Sequence, residues 1–185
     1  PALVFPGPNG TVDTLSVRAL QELSARVANG LRDIGMNTGD AVAVVMPMTV
    51  ESVAIYLGIV LAGCVVVSIS DSFAAEQIRK RCAATDVKLV FTQDVVSRSG
   101  KRIPLYARFL EAPAPRVVVV ESESGGEMNA LRPDDVRWTE FLPAENVFAP
   151  VMLGPDRPSN YLFSSGTTGE PKVIPWSHTT PIKCA

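Results

Sequence analysis

Residues 164–172 read SSGTTGEPK, a run of small polar side chains that ends in a lysine. Side chains this small leave backbone amides bare, and N–H groups brought together in a glycine-rich turn form an anion-binding concavity. Ser164, Ser165, Thr167 and Thr168 add hydroxyl donors, and Lys172 adds a point charge. Many donors with almost no bulk suit phosphate oxygens. A flexible linker of small residues is the plain alternative, but such linkers rarely carry a threonine pair, a proline and a lysine directly after a strand. The ordinary P-loop is excluded. Gly166 and Lys172 have its separation, yet Pro171 replaces its second glycine, and Val173 stands where its magnesium-binding hydroxyl belongs. No G-x-G-x-x-G precedes a helix, so a dinucleotide fingerprint is missing as well.

Something must hold that loop. Asn160 to Phe163 reads as a short strand leading directly into it. Further back, Leu20, Leu23, Val27, Leu31 and Ile34 share one helical face, with Ser16 as N-cap and Gly35 as the left-handed terminator. Asn37 to Asp40 is a turn. Ala41 to Met46 is a strand stopped by Pro47, and Thr49 caps a helix to about Ala62 with Glu51 in its first turn. Val65 to Ile69 and Lys88 to Thr92 are strands on either side of a short helix, Ala74 to Ala84. This alternation predicts an α/β fold, a parallel-strand sheet flanked by helices with right-handed crossovers. The apolar runs lack alternation, as strands buried on both faces do. After Thr92 the pattern weakens. Arg116 to Glu121 is a strand, residues 121–135 read as an exposed acidic loop, and Trp138, Phe141 and Leu142 as one helical turn docked on the core.

Composition narrows the partners. The 185 residues are 46% hydrophobic and 19% charged, with a net charge of −2, which gives no global attraction to nucleic acid or anionic lipid. Ser52 to Ser70 is uncharged and about long enough to cross a bilayer. Gly58 and Gly63 interrupt it and its second part is β-branched, so a buried helix followed by a buried strand accounts for it better. The three cysteines, Cys64, Cys82 and Cys184, are far apart and lack metal spacing, which fits a reducing compartment. No signal peptide is read at the start of the chain.

FSSGTTGEPK resembles the phosphate-binding signature of the AMP-forming, adenylate-forming enzymes, which include acyl-CoA synthetases. The resemblance extends to LQELSARVANGLRDIGMNTGDAVAVVMPM, similar to that family's first helix, G-D turn and first sheet strand, and to VESVAIYLGIVLAGCVVVSIS, similar to the next helix and strand. MPM and DSFAAEQIRKR look closest to the acetyl-CoA synthetase-like branch. The resemblance implies that Ser164, Ser165, Gly166, Thr167, Thr168 and Gly169 lie over the ATP phosphates and that Lys172 helps to neutralise the triphosphate. His178 falls where the family often has a histidine near the acyl substrate, although spacing alone leaves it open to a plain surface or core role. One departure stands out: Val173 occupies the position that is usually glycine after the motif lysine.

The implied reaction joins a carboxylic acid to ATP as an acyl-adenylate and then to coenzyme A as a thioester, with Mg²⁺ sharing the phosphate charge. No metal ligands are identified in this chain. The family's adenine and ribose contacts, magnesium-binding glutamate, acid pocket and mobile C-terminal domain would all follow Ala185. Residues 1–185 are therefore expected to be a partial N-terminal AMP-binding domain, inactive alone, of an intracellular enzyme of the cytoplasm or peroxisome. A non-catalytic interaction or scaffold module built on the same fold is the other reading. The identity of the acid is not encoded here.

Overall fold

A computed structural model describes residues 1–7, 10–110, 114–122, 130–165 and 170–183. It begins with an antiparallel hairpin, β1 (Leu3–Pro6) against β2 (Val12–Leu15). Helix α1 (Val17–Asp33) starts where the Ser16 hydroxyl accepts from the Ala19 N–H at 3.1 Å. Just past its end Gly35 takes a φ of 83°, a conformation that a Cβ would strain. Strand β3 (Ala41–Val45) leads to helix α2 (Val50–Leu61). A reciprocal pair caps α2: Ser52 N–H donates to Thr49 Oγ1 at 3.2 Å and Thr49 N–H to Ser52 Oγ at 2.9 Å. Next come β4 (Val65–Ser68), α3 (Ala75–Ala84) and β5 (Val87–Gln93). A hairpin of β6 (Val95–Arg98) and β7 (Lys101–Pro104) and a 3-10 turn at Tyr106–Phe109 precede β8 (Arg116–Val120). Then follow β9 (Val136–Arg137), α4 (Trp138–Phe141), β10 (Pro158–Ser165), β11 (Pro171–Ser177) and α5 (Thr180–Lys183).

Seven of these strands form one sheet, in the order β11-β10-β4-β3-β5-β8-β9. Every neighbouring pair is parallel except β10 and β11. The three strands expected to be adjacent and parallel are so, with β3 between β4 and β5. Their side chains divide the core in two, since successive residues of a strand face opposite ways. Val42, Val66, Phe91 and Val118 pack with Val27, Leu31, Ile55 and Ile59 of α1 and α2. Ala43, Val67, Val90 and Val117 pack on the other face with Ile78 and Cys82 of α3. The layers on the first face sit close: a Cβ added at Gly58 would lie 2.5 Å from Val27 Cβ.

The docked turn at α4 is present, with Phe141 buried and its ring edge-on to Phe91 at 5.2 Å between centroids. No helix among the described residues is long and apolar enough to cross a membrane. Three short strand pairings are new relative to the sequence pattern: β1 with β2, β6 with β7, and β10 with β11. The acidic stretch 121–135 also needs correcting at its end. Residues 123–129 lie outside the described residues, but Asp135 is buried rather than exposed. Its carboxylate accepts from Tyr106 Oη at 2.8 Å, from the Val117 N–H at 2.8 Å and from Arg132 Nε at 2.7 Å. Those donors are why an acidic side chain can leave water there.

Candidate functional site

Strand β10 joins the sheet beside β4, with Asn160 opposite Val66 and Tyr161 opposite Val67. It then continues beyond the end of β4 to Ser165. This carries Ser164 past the carboxyl edge of the parallel strands, the place where open α/β sheets present ligand sites. The root of the strand is fixed from below. Asn160 is buried, and Ser68 Oγ donates to its Oδ1 at 3.1 Å. Burial pushes the Tyr56 phenol's pKa up, and the nearby Asn160 side chain offsets part of that.

The chain turns back as β11, with Phe163 opposite Val173, Ser164 opposite Lys172 and Ser165 opposite Pro171. Gly166, Thr167, Thr168 and Gly169, four of the residues expected over the phosphates, lie outside the described residues. The hairpin register brings Ser164 and Lys172 into apposition. Lys172 is exposed, and neither its ammonium nor the Ser164 hydroxyl has a protein partner among the described residues. An anion would meet both without displacing an existing bond.

His178 is elsewhere. It follows the far end of β11, six extended residues or roughly 20 Å of strand from Lys172. Its backbone N–H donates to the Arg157 carbonyl at 3.2 Å, and its Nε2 is buried without a hydrogen-bond partner. Lys172 and His178 thus belong to opposite ends of one strand. Two cysteines can be set aside as nucleophiles. Burial pushes the Cys64 thiol up to about 11 and the Cys82 thiol up to about 12, so neither supplies a thiolate at neutral pH. Among the described residues no three His, Cys, Asp or Glu side chains gather as a metal site.

Two features of the site were not read from the sequence. Strand β11 carries Pro171 and Pro175, which argue against a strand, but it lies at the sheet edge, where missing N–H donors are tolerated. The second is contact from α3. Lys80 Nζ lies 2.8 Å from Glu170 Oε1, and the Arg81 guanidinium lies over Phe163 at 5.5 Å from the ring centroid.

Residues 1–184 match a family model described as AMP-binding enzyme. The chain is 46% identical over 182 residues to the probable peroxisomal acyl-activating enzyme 18 of Arabidopsis thaliana, covering 94% of this chain and 25% of that protein. It is 44% identical over 180 residues to a hexanoyl-CoA synthase of Cannabis sativa, again covering 94% of this chain and 25% of the relative. The chain thus spans about a quarter of the length of these curated relatives. A solved acyl-CoA synthetase of Brucella canis superposes with a TM-score of 0.79 at 26% identity, over 95% of this chain and 30% of that one.

Proposed function

This chain belongs to the AMP-binding enzyme family, and from that premise we propose that its β10–β11 hairpin is the phosphate-binding element of an acyl-CoA synthetase-type ligase. One observation supports this above the rest. The hairpin sets Lys172 opposite Ser164 at the carboxyl end of a parallel sheet, and among the described residues neither the ammonium nor the hydroxyl has a partner. The substrates in this reading are ATP, a carboxylic acid and coenzyme A, and the compartment is the peroxisome or the cytoplasm.

The chain's own residues would act on the leaving group. As the acid's oxygen bonds to the α-phosphorus and the bond to the β-phosphate oxygen breaks, negative charge grows on pyrophosphate. The Lys172 ammonium and the donors of residues 164–169 meet that charge already oriented, so they favour the transition state over bound ATP. Mg²⁺ would supply further charge neutralisation on the phosphates, brought by the nucleotide and by groups beyond these residues. His178, at the other end of β11, makes no phosphate contact in this scheme; its role is either near the acyl substrate or plainly structural.

The test uses half-reactions, in this chain continued to the length of its relatives. Lys172→Ala should lower kcat for adenylate formation by roughly 10²-fold, with a smaller change in the KM for ATP. Thioester formation from supplied acyl-adenylate should change little, because pyrophosphate has already left. Equal losses in both half-reactions would mark the loop as structural, and near wild-type adenylation would remove the phosphate role. The 185 residues alone should give no acid-dependent pyrophosphate release, since one loop cannot orient both reactants.

A further inference from the structure

Helix α3 runs beside β11, outside the sheet, and two consecutive basic residues on it reach the hairpin at different places. Lys80 pairs with Glu170, which immediately precedes β11, at 2.8 Å. Arg81 reaches Phe163, which immediately precedes Ser164. Consecutive helical residues point about 100° apart, so one can face outward to the hairpin's return while the other faces inward beneath its entry.

Arg81 is the more telling of the two. It is only 7% exposed, yet it enters none of the ion pairs among the described residues. Its Nη1 donates to the Gln77 carbonyl at 2.9 Å and to Gln77 Oε1 at 2.8 Å, and its Nε is buried without a partner. A buried cation without an anion is costly, and an apolar side chain of the same length would fill the space at lower cost. What this cation has instead is aromatic contact: its guanidinium carbon lies 4.0 Å from the Phe73 ring centroid and 5.5 Å from that of Phe163. Attraction to both ring faces ties Phe163, and with it the exit of β10, to α3.

We propose that Lys80 and Arg81 are positioning residues that clamp the hairpin's two arms from α3, at Glu170 and Phe163, an inference that rests on the phosphate reading of that hairpin only for what the clamp is for. Ser164 and Lys172 must stay apposed for one anion to meet both, and a two-stranded ribbon at a sheet edge has few other restraints. Arg81 fixes the strand before Ser164. Lys80 holds the residue before β11.

The experiment combines amide hydrogen exchange and MgATP titration calorimetry on this chain continued to the length of its relatives. The variants are Lys80→Ala, Glu170→Ala, the exchange Lys80→Glu with Glu170→Lys, Arg81→Met and Arg81→Lys. Lys80→Ala and Glu170→Ala should each speed exchange within residues 158–177 about threefold, as expected for an exposed pair, and leave β3 unchanged. The charge exchange should restore the wild-type rate. Arg81→Met should speed hairpin exchange about tenfold, with Arg81→Lys recovering part of the loss. The dissociation constant for MgATP should weaken in the same order. Unchanged hairpin exchange, acceleration spread equally over β3, or failure of the exchanged pair to restore the rate would each overturn the clamp. So would wild-type MgATP affinity in variants whose hairpins exchange faster. If the exchange pattern appears but the wild-type chain does not bind MgATP, the clamp stands and the phosphate reading fails.

Discussion

Replacing Asp135 by alanine should destabilise the fold by about 3–5 kcal/mol, the range seen when one partner of a buried pair is removed. The geometry accounts for that figure. The Asp135 side chain is 0% exposed and accepts from Tyr106 Oη, the Val117 N–H and both Nε and Nη2 of Arg132, at 2.7–2.9 Å. Alanine strands the Val117 N–H and the Tyr106 hydroxyl, each at about 1–2 kcal/mol when buried. The Arg132 side chain is 24% exposed and keeps carbonyl acceptors, including Pro115 O at 2.8 Å, so its loss is discounted to about 1 kcal/mol. Asp135→Asn should cost nearly as much, because an amide turns one acceptor oxygen into a donor that faces donors. Urea unfolding followed by far-ultraviolet circular dichroism reads the effect directly. With a slope near 2 kcal/mol/M the midpoint should fall by about 2 M. A shift below about 0.5 M for both variants would refute the assignment of these bonds to stability. A change in slope would instead point to an altered denatured state.

Gly58→Ala tests the closeness of α1 and α2: the new Cβ would meet Val27 Cβ at 2.5 Å and the Ser24 carbonyl oxygen at 2.8 Å, so thermal unfolding should show a loss of about 1–3 kcal/mol. Wild-type stability there would mean that the helices separate without cost. The alkaline limb of stability should follow the two buried thiols. Burial raises Cys64 to about 11 and Cys82 to about 12 from an ordinary 9.0, so the folded chain binds these protons more tightly than the unfolded chain. Their contribution is complete below about pH 9 and is lost as pH rises through 9 towards 12. Denaturant midpoints measured from pH 7 to 11 under reducing conditions should fall above 9, and Cys82→Ala should make that fall shallower. An identical slope in the variant would exclude Cys82 as a cause.

The local features of this chain were legible because each depends on neighbours a few residues away. Ser16 and Thr49 cap helices by reaching their own first turns, and Gly35 ends one because only the residue itself must tolerate a positive φ. Residues 41–45, 65–67 and 89–91 are apolar throughout because both sheet faces are covered, and that pointed to a parallel sheet between helices. The donor content of SSGTTGEPK is readable for the same reason: hydroxyls and one lysine are properties of the segment itself.

What the segment could not state was its surroundings. The short strand expected at Asn160 to Phe163 is one arm of a hairpin whose other arm contains two prolines, which is acceptable only because β11 lies at an edge. Edge position depends on the sheet, and no residue of β11 encodes it. Asp135 sits in a stretch that reads as solvent-exposed, and it is buried because Tyr106, Arg132 and the Val117 N–H converge on it. The Lys80–Glu170 pair joins residues 90 positions apart, and Arg81 finds Phe163 only after β10 has docked beside β4. Sequence set the donors, the caps and the apolar periodicity, since these are short-range. Tertiary structure decided where the donors stand, what holds them and which charges are buried, since those follow from distant segments closing on one another.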